Sequence, residues 1–86
     1  MLFLEWNLLA SNKHCSNKVV PWRFEDETLI ECFAFCGGEG HLALTYREDN
    51  GNCACCNNPP SLEDNTAATV YTLPGQGAFI RFLNVL

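Results

Sequence analysis

Glu31-Cys32-Phe33-Ala34-Phe35-Cys36, taken with Cys53-Ala54-Cys55-Cys56, holds five of the chain's six cysteines and decides how the rest is arranged. On an α-helix, residues four apart lie one turn apart on the same face, so Cys32 and Cys36 point the same way at roughly 6 Å. On a β-strand, residues two apart share a face at roughly 6.5 to 7 Å, and Cys53 and Cys55 do likewise. The spacings match, so two parallel disulfides can clip one helix flat onto one strand. Six cysteines admit many pairings, which geometry narrows without selecting one. The face argument favours Cys32 with Cys53 and Cys36 with Cys55, leaving Cys56, on the opposite side of the strand, for Cys15.

The 86 residues make one domain, 1–86, near the lower limit at which a hydrophobic core alone stabilises a fold. Six cysteines are the help such small oxidised domains use, each bridge adding on the order of 3 kcal/mol by restricting the unfolded chain. The expected setting is therefore secreted or extracellular. A reduced cytosolic protein with buried thiols is the weaker alternative.

A net charge of −5 and a pI near 4.7 argue against a nucleic-acid or anionic-membrane surface. The five basic residues, Lys13, Lys18, Arg23, Arg47 and Arg81, are scattered. No apolar run approaches the roughly 20 residues that span a bilayer. Met1 to Ala10 is apolar and ends in a small residue, but it has no basic leader region and is interrupted by Glu5 and Asn7. It reads as the first strand of a mature domain, and the given chain as a processed form or a fragment.

In chain order, Leu2 to Leu9 is expected to be a half-buried strand, with Leu2, Leu4, Trp6 and Leu8 on one face. Ala10 to Asn17 reads as a polar loop. Val19 to Phe24, interrupted by Pro21, reads as an edge strand or covering loop. Thr28 and Glu31 have the spacing of a capping box, Leu29, Ile30, Phe33 and Ala34 supply the helix's apolar face, and Gly37-Gly38 supplies its stop. His41 to Arg47 alternates as a strand with Leu42, Leu44 and Tyr46 inward. Asn50-Gly51 then marks a hairpin returning through Cys53 to Cys56. Asn57 to Asn65 reads as a surface loop, Thr69 to Leu73 as a strand, Pro74 to Gly77 as a turn, and Ala78 to Leu86 as a strongly β-forming run apolar on both faces.

The middle of the chain resembles a PAN/apple domain. The resemblance is carried by Thr28 to Cys36, His41 to Tyr46, Gly51-Asn52-Cys53 and Ala68-Thr69-Val70-Tyr71, and covers about half of the sequence. It implies an α+β domain, a small disulfide-stapled fold in which a curled antiparallel sheet of about five strands cradles one helix. Cys32 to Cys53 would correspond to the family's helix-to-strand bridge. That family usually has a second bridge from the helix to the strand position occupied here by His41. Histidine cannot form it, so Cys36 needs another partner, and Cys55 is the candidate. The pairing of CxxxC on a helix with CxC on a strand is also similar to the cysteine-stabilised αβ motif of defensins and scorpion-type toxins. Those peptides are usually shorter and often basic.

Other chemistry is weakly represented. His14 and His41 with the cysteines are a ligand set for zinc, and Cys53-x-Cys55-Cys56 is similar to metallothionein clusters, but metal needs reduced thiolates. His41 with Cys36 lacks the orienting partner of a catalytic pair. Glu25 to Glu27, Glu48-Asp49 and Glu63-Asp64 read as a helix start, a hairpin tip and solvated charge. No Asn-x-Ser/Thr acceptor is present. The expectation is a non-enzymatic module that takes no cofactor and no metal. Trp6, Trp22, Phe24 and Tyr71 exceed what one small core easily absorbs and are the candidate contacts for a protein or glycan partner. The alternatives are a structural subunit that self-assembles as a homo-oligomer or filament through apolar strands, and a secreted toxin or inhibitor.

Full pairing is checked by alkylation. The untreated chain is expected to take up no label and the reduced chain six; replacing Cys55 alone should leave Cys36 reactive, and a reactive Cys32 instead would overturn the pairing.

Overall fold

The computed structural model of the chain describes residues 6–23 and 25–73. Within them, strands β1 (Asn7–Cys15), β2 (Lys18–Arg23), β3 (Ala43–Arg47), β4 (Cys53–Cys56) and β5 (Leu62–Thr72) surround one helix, α1 (Leu29–Gly38). The strands form a single antiparallel sheet in the order β1-β5-β3-β4-β2, so β3 is central and the first two strands occupy opposite edges. This is the small disulfide-rich α+β architecture expected from the sequence. The expected turn at Pro74 to Gly77 and strand at Ala78 to Leu86 lie outside the described residues, as do Leu2 to Glu5 and Phe24.

Only Ser16 and Asn17 separate β1 from β2, which forces the sheet to curl. In a flat sheet the three steps from β1 to β4 would cover about 14 Å at roughly 4.8 Å per strand, yet the Cα atoms of Cys15 and Cys56 are 6.4 Å apart. The end of β1 folds back over the face away from the helix, where Cys15, Ala43 and Cys56 form a small buried cluster. Two backbone hydrogen bonds close the corner, from Ser16 N–H to the Ser61 carbonyl (2.7 Å) and from Asn57 N–H to the Asn17 carbonyl (3.1 Å).

The stretch from Ala10 to Asn17, expected as a loop, is mostly strand, and β5 begins at Leu62 inside the expected loop of residues 57 to 65. The physical reason is that these two polar segments pair with each other. Lys13 faces Asp64 and His14 faces Glu63 across the ladder, so an ion pair and a polar hydrogen-bonded pair replace the apolar alternation that marks a strand packed on a core. The β1–β5 register shifts between Leu8 and Ala10 and again between Ser11 and Lys13, with Asn12 at φ 60°. These irregularities break the expected alternation, and Leu8 and Leu9 are both exposed while Trp6 is buried.

Helix α1 starts as the sequence implies. The Thr28 hydroxyl accepts from the Glu31 N–H (3.1 Å), and the Glu31 carboxylate accepts from the Thr28 N–H (2.7 Å). The stop is different. Gly37 and Gly38 remain helical, Glu39 is the C-cap, and Gly40 takes the left-handed conformation at φ 88°. Gly40 N–H then reaches the Gly37 carbonyl and His41 N–H the Cys36 carbonyl, a complete Schellman motif. The buried face is centred on Cys32 and Cys36, with Leu29, Phe33 and Phe35 partly buried; Ile30 and Ala34, expected inside, are exposed. The two bridges to β4 set which side of the helix meets the sheet, and that side is the cysteine side.

Leu44, Tyr46, Cys53 and Cys55 face the helix in the main cluster with Trp6 and Leu73. The alternate residues Ala43, Thr45, Ala54 and Cys56 are also buried, so β3 and β4 are covered on both faces. Gly51, at φ 73°, lets the β3–β4 hairpin receive the segment before the helix: Asp26 N–H donates to the Asn50 carbonyl (2.9 Å) and Glu27 N–H to the Gly51 carbonyl (3.3 Å). A Cβ at Gly51 would sit 2.6 Å from the backbone nitrogens of Asp26 and Glu27. On its other side this segment accepts a hydrogen bond from the Tyr46 hydroxyl through the Glu27 carbonyl. Burial, with the nearby carboxylates of Glu48, Glu27 and Glu31, raises the Tyr46 phenol above its ordinary range.

Two measurements test this junction. Gly51→Ala combines left-handed strain with a backbone clash and is expected to lower stability by about 2 kcal/mol or more in urea unfolding. The raised phenol favours the neutral ring, so its contribution is complete below the unfolded tyrosine value of about 10 and is lost as pH rises through the higher folded value. Tyr46→Phe should flatten that alkaline loss of stability, and an unchanged pH profile would count against the assignment.

Candidate functional site

The cysteines come together as three bridges, Cys32–Cys53, Cys36–Cys55 and Cys15–Cys56, with no free thiol. Cys32, Cys36 and Cys53 place their sulfurs within 4.8 Å of one another, a spacing compatible with a metal cluster. All three sulfurs are engaged in disulfides, so the arrangement offers no thiolate ligand in this oxidised state. His41 follows the Schellman turn, while His14 lies on β1 among charged neighbours.

The four nominated aromatic residues separate. Trp6 stacks on Phe33 of the helix, with centroids 5.3 Å apart and planes within 6°, and Tyr71 meets the same Phe33 edge-on at 5.2 Å and 82°. Trp6 is only 8% exposed and belongs to the main core cluster, and Tyr71 packs against it. Burial, then Glu48 and Tyr46, raises the Tyr71 phenol. This trio pins the helix to the sheet. Phe24 lies outside the described residues.

Trp22 is different: it is half-buried and belongs to neither hydrophobic cluster among the described residues. Two neighbours in β2 report on the helix side, Val20 by packing against the main cluster and Arg23 by placing its guanidinium 4.6 Å from the Phe35 ring centroid. The β2–β4 register shifts between Val20 and Arg23, and Trp22 in between meets a different set of residues. The His14 imidazole lies parallel to its indole within 8°, centroids 6.1 Å apart, and the Lys18 ammonium sits 5.1 Å from the indole centroid.

Three strands thus bring together Trp22 and Lys18 of β2, His14 of β1 and Glu63 of β5. Lys18 Nζ donates to the Cys15 carbonyl (2.6 Å) and lies 3.2 Å from His14 Nδ1. An ammonium can only donate, so Nδ1 accepts and the neutral ring carries its proton on Nε2. Nε2–H then donates to Glu63 Oε1 at 3.1 Å. Burial lowers the Lys18 ammonium from its ordinary value, and the Glu63 carboxylate partly opposes this. The neighbouring pair of Lys13 and Asp64 alternates to the other face of the ribbon. The dyads Lys13-His14 and Glu63-Asp64, complementary and reversed in order, are the sequence signal of this pairing; Glu63 is a cross-strand partner rather than merely solvated charge.

Among the described residues no helix is long and apolar enough to cross a membrane. No protein-family model matches the chain, nor does any curated protein or solved structure.

Proposed function

We propose that this chain is a non-enzymatic extracellular interaction module of the PAN/apple type, whose partner is a protein or a glycan. The observation that carries the reading is Trp22: a half-buried indole outside both hydrophobic clusters of the described residues, held against His14 and Lys18 on a frame joined by three disulfides. Such a ring contributes little to the core, and a rigid aromatic with polar neighbours suits recognition. The single helix and five-stranded antiparallel sheet are the architecture that the PAN/apple resemblance implies. The three bridges fit an oxidising compartment.

A second reading, self-assembly, is favoured by Leu8 and Leu9, exposed at 59% and 48% on β1 at the edge of the described sheet.

Arrays of secreted proteins and of glycans, probed with the oxidised chain, test the first reading. Retention by the oxidised chain and its loss after reduction and alkylation are expected; equal retention of both forms, or none, would overturn it. Sedimentation across the micromolar range decides the second reading, because a clean monomer removes assembly.

A further inference from the structure

We infer that the corner made by Trp22, His14, Lys18 and Glu63 is a binding site for a neutral pyranose unit of a glycan, a deepening that rests on the interaction-module reading above. The ring comes first. Trp22 cannot turn freely, because His14 lies parallel to it and Lys18 sits over it. A fixed aromatic surface meets the C–H face of a pyranose without the entropy cost of ordering a side chain.

The polar groups decide what kind of ligand the ring would take. Lys18 directs its ammonium to the Cys15 carbonyl and to His14 Nδ1, and His14 Nε2–H is directed to Glu63 Oε1. Two of the three Lys18 ammonium hydrogens and the His14 Nε2–H are thus engaged within the corner. Acceptor capacity remains as well: Glu63 is 61% exposed in its side chain, and its second carboxylate oxygen has no protein partner among the described residues. An acceptor beside an aromatic face suits hydroxyl groups, which donate. The charges of Lys18 and Glu63 oppose one another, leaving no net charge to attract an ionic ligand. An acidic sugar would face the Glu63 carboxylate in a chain of net charge −5. One half-buried indole among polar groups is also small against the roughly 800 Å² that each partner contributes to a stable protein interface.

The oxidised full chain, labelled with ¹⁵N, is titrated with methyl β-galactoside, methyl α-mannoside and N-acetylglucosamine, and with glucuronate as the anionic probe. At least one neutral probe should shift the Trp22 indole N–H signal saturably and leave that of Trp6 unmoved. Trp22→Ala and Glu63→Gln should each weaken that probe about tenfold or more with the disulfide pairing unchanged. Trp22→Phe, which keeps an aromatic face, should retain most of the affinity and guards against misfolding of the alanine variant. The site is overturned if no neutral probe saturates at concentrations on the order of tens of millimolar, if glucuronate binds more tightly, or if Trp22→Ala binds as well as the parent chain. Array capture that survives Trp22→Ala overturns this site and leaves the interaction-module reading standing, whereas a chain that captures nothing loses both.

Discussion

Strand β4 is four residues long, and three of them are halves of disulfides. Because side chains alternate along a strand, Cys53 and Cys55 reach the helix on one face while Cys56 reaches β1 on the other. One short strand therefore fixes both layers of the fold. The closed segments span 41, 21 and 19 residues, and restricting the unfolded chain over such lengths stabilises by on the order of 3 to 4 kcal/mol per bridge. For a domain this small, that contribution is comparable with the whole net stability expected of it.

The same constraint creates the surface corner. The Cys15–Cys56 bridge draws the end of β1 across to β4, and with it His14, the residue just before the bridge. Lys18, three residues after Cys15, turns back to bond the Cys15 carbonyl. The aromatic and charged groups around Trp22 are thus positioned by the bridge and by the two-residue link between β1 and β2. On the helix side, Phe33 has the corresponding role for Trp6 and Tyr71, but there the aromatic surface is consumed by packing.

The clip between helix and strand was legible because its signal is local. Four-residue and two-residue spacings state which cysteines share a face, and Thr28 with Glu31 states where the helix begins. The polar ribbon was harder to read, since residues 13 to 15 and 62 to 64 stabilise each other by cross-strand pairing and carry little apolar periodicity. Gly37-Gly38 announces a helix stop that the chain delays to Gly40, and the exposure of Ile30 and Ala34 follows from where the bridges hold the helix, not from hydrophobicity. Trp22 was visible as an aromatic in excess of the core. Its partners were not, because His14 and Glu63 meet only through a register spanning 49 positions in sequence.

Every covalent cross-link falls between Cys15 and Cys56, while β5, which pairs with both β1 and β3, contains no cysteine. A proteolytic cut between β3 and β4, or in the Ser16–Asn17 link, leaves the pieces covalently joined. A cut in the segment 57–61 leaves β5 attached by hydrogen bonds and packing alone. Among the connections between described elements, this is the one whose cleavage converts a single chain into a separable two-part complex, with the strand beside the central β3 as the detachable part.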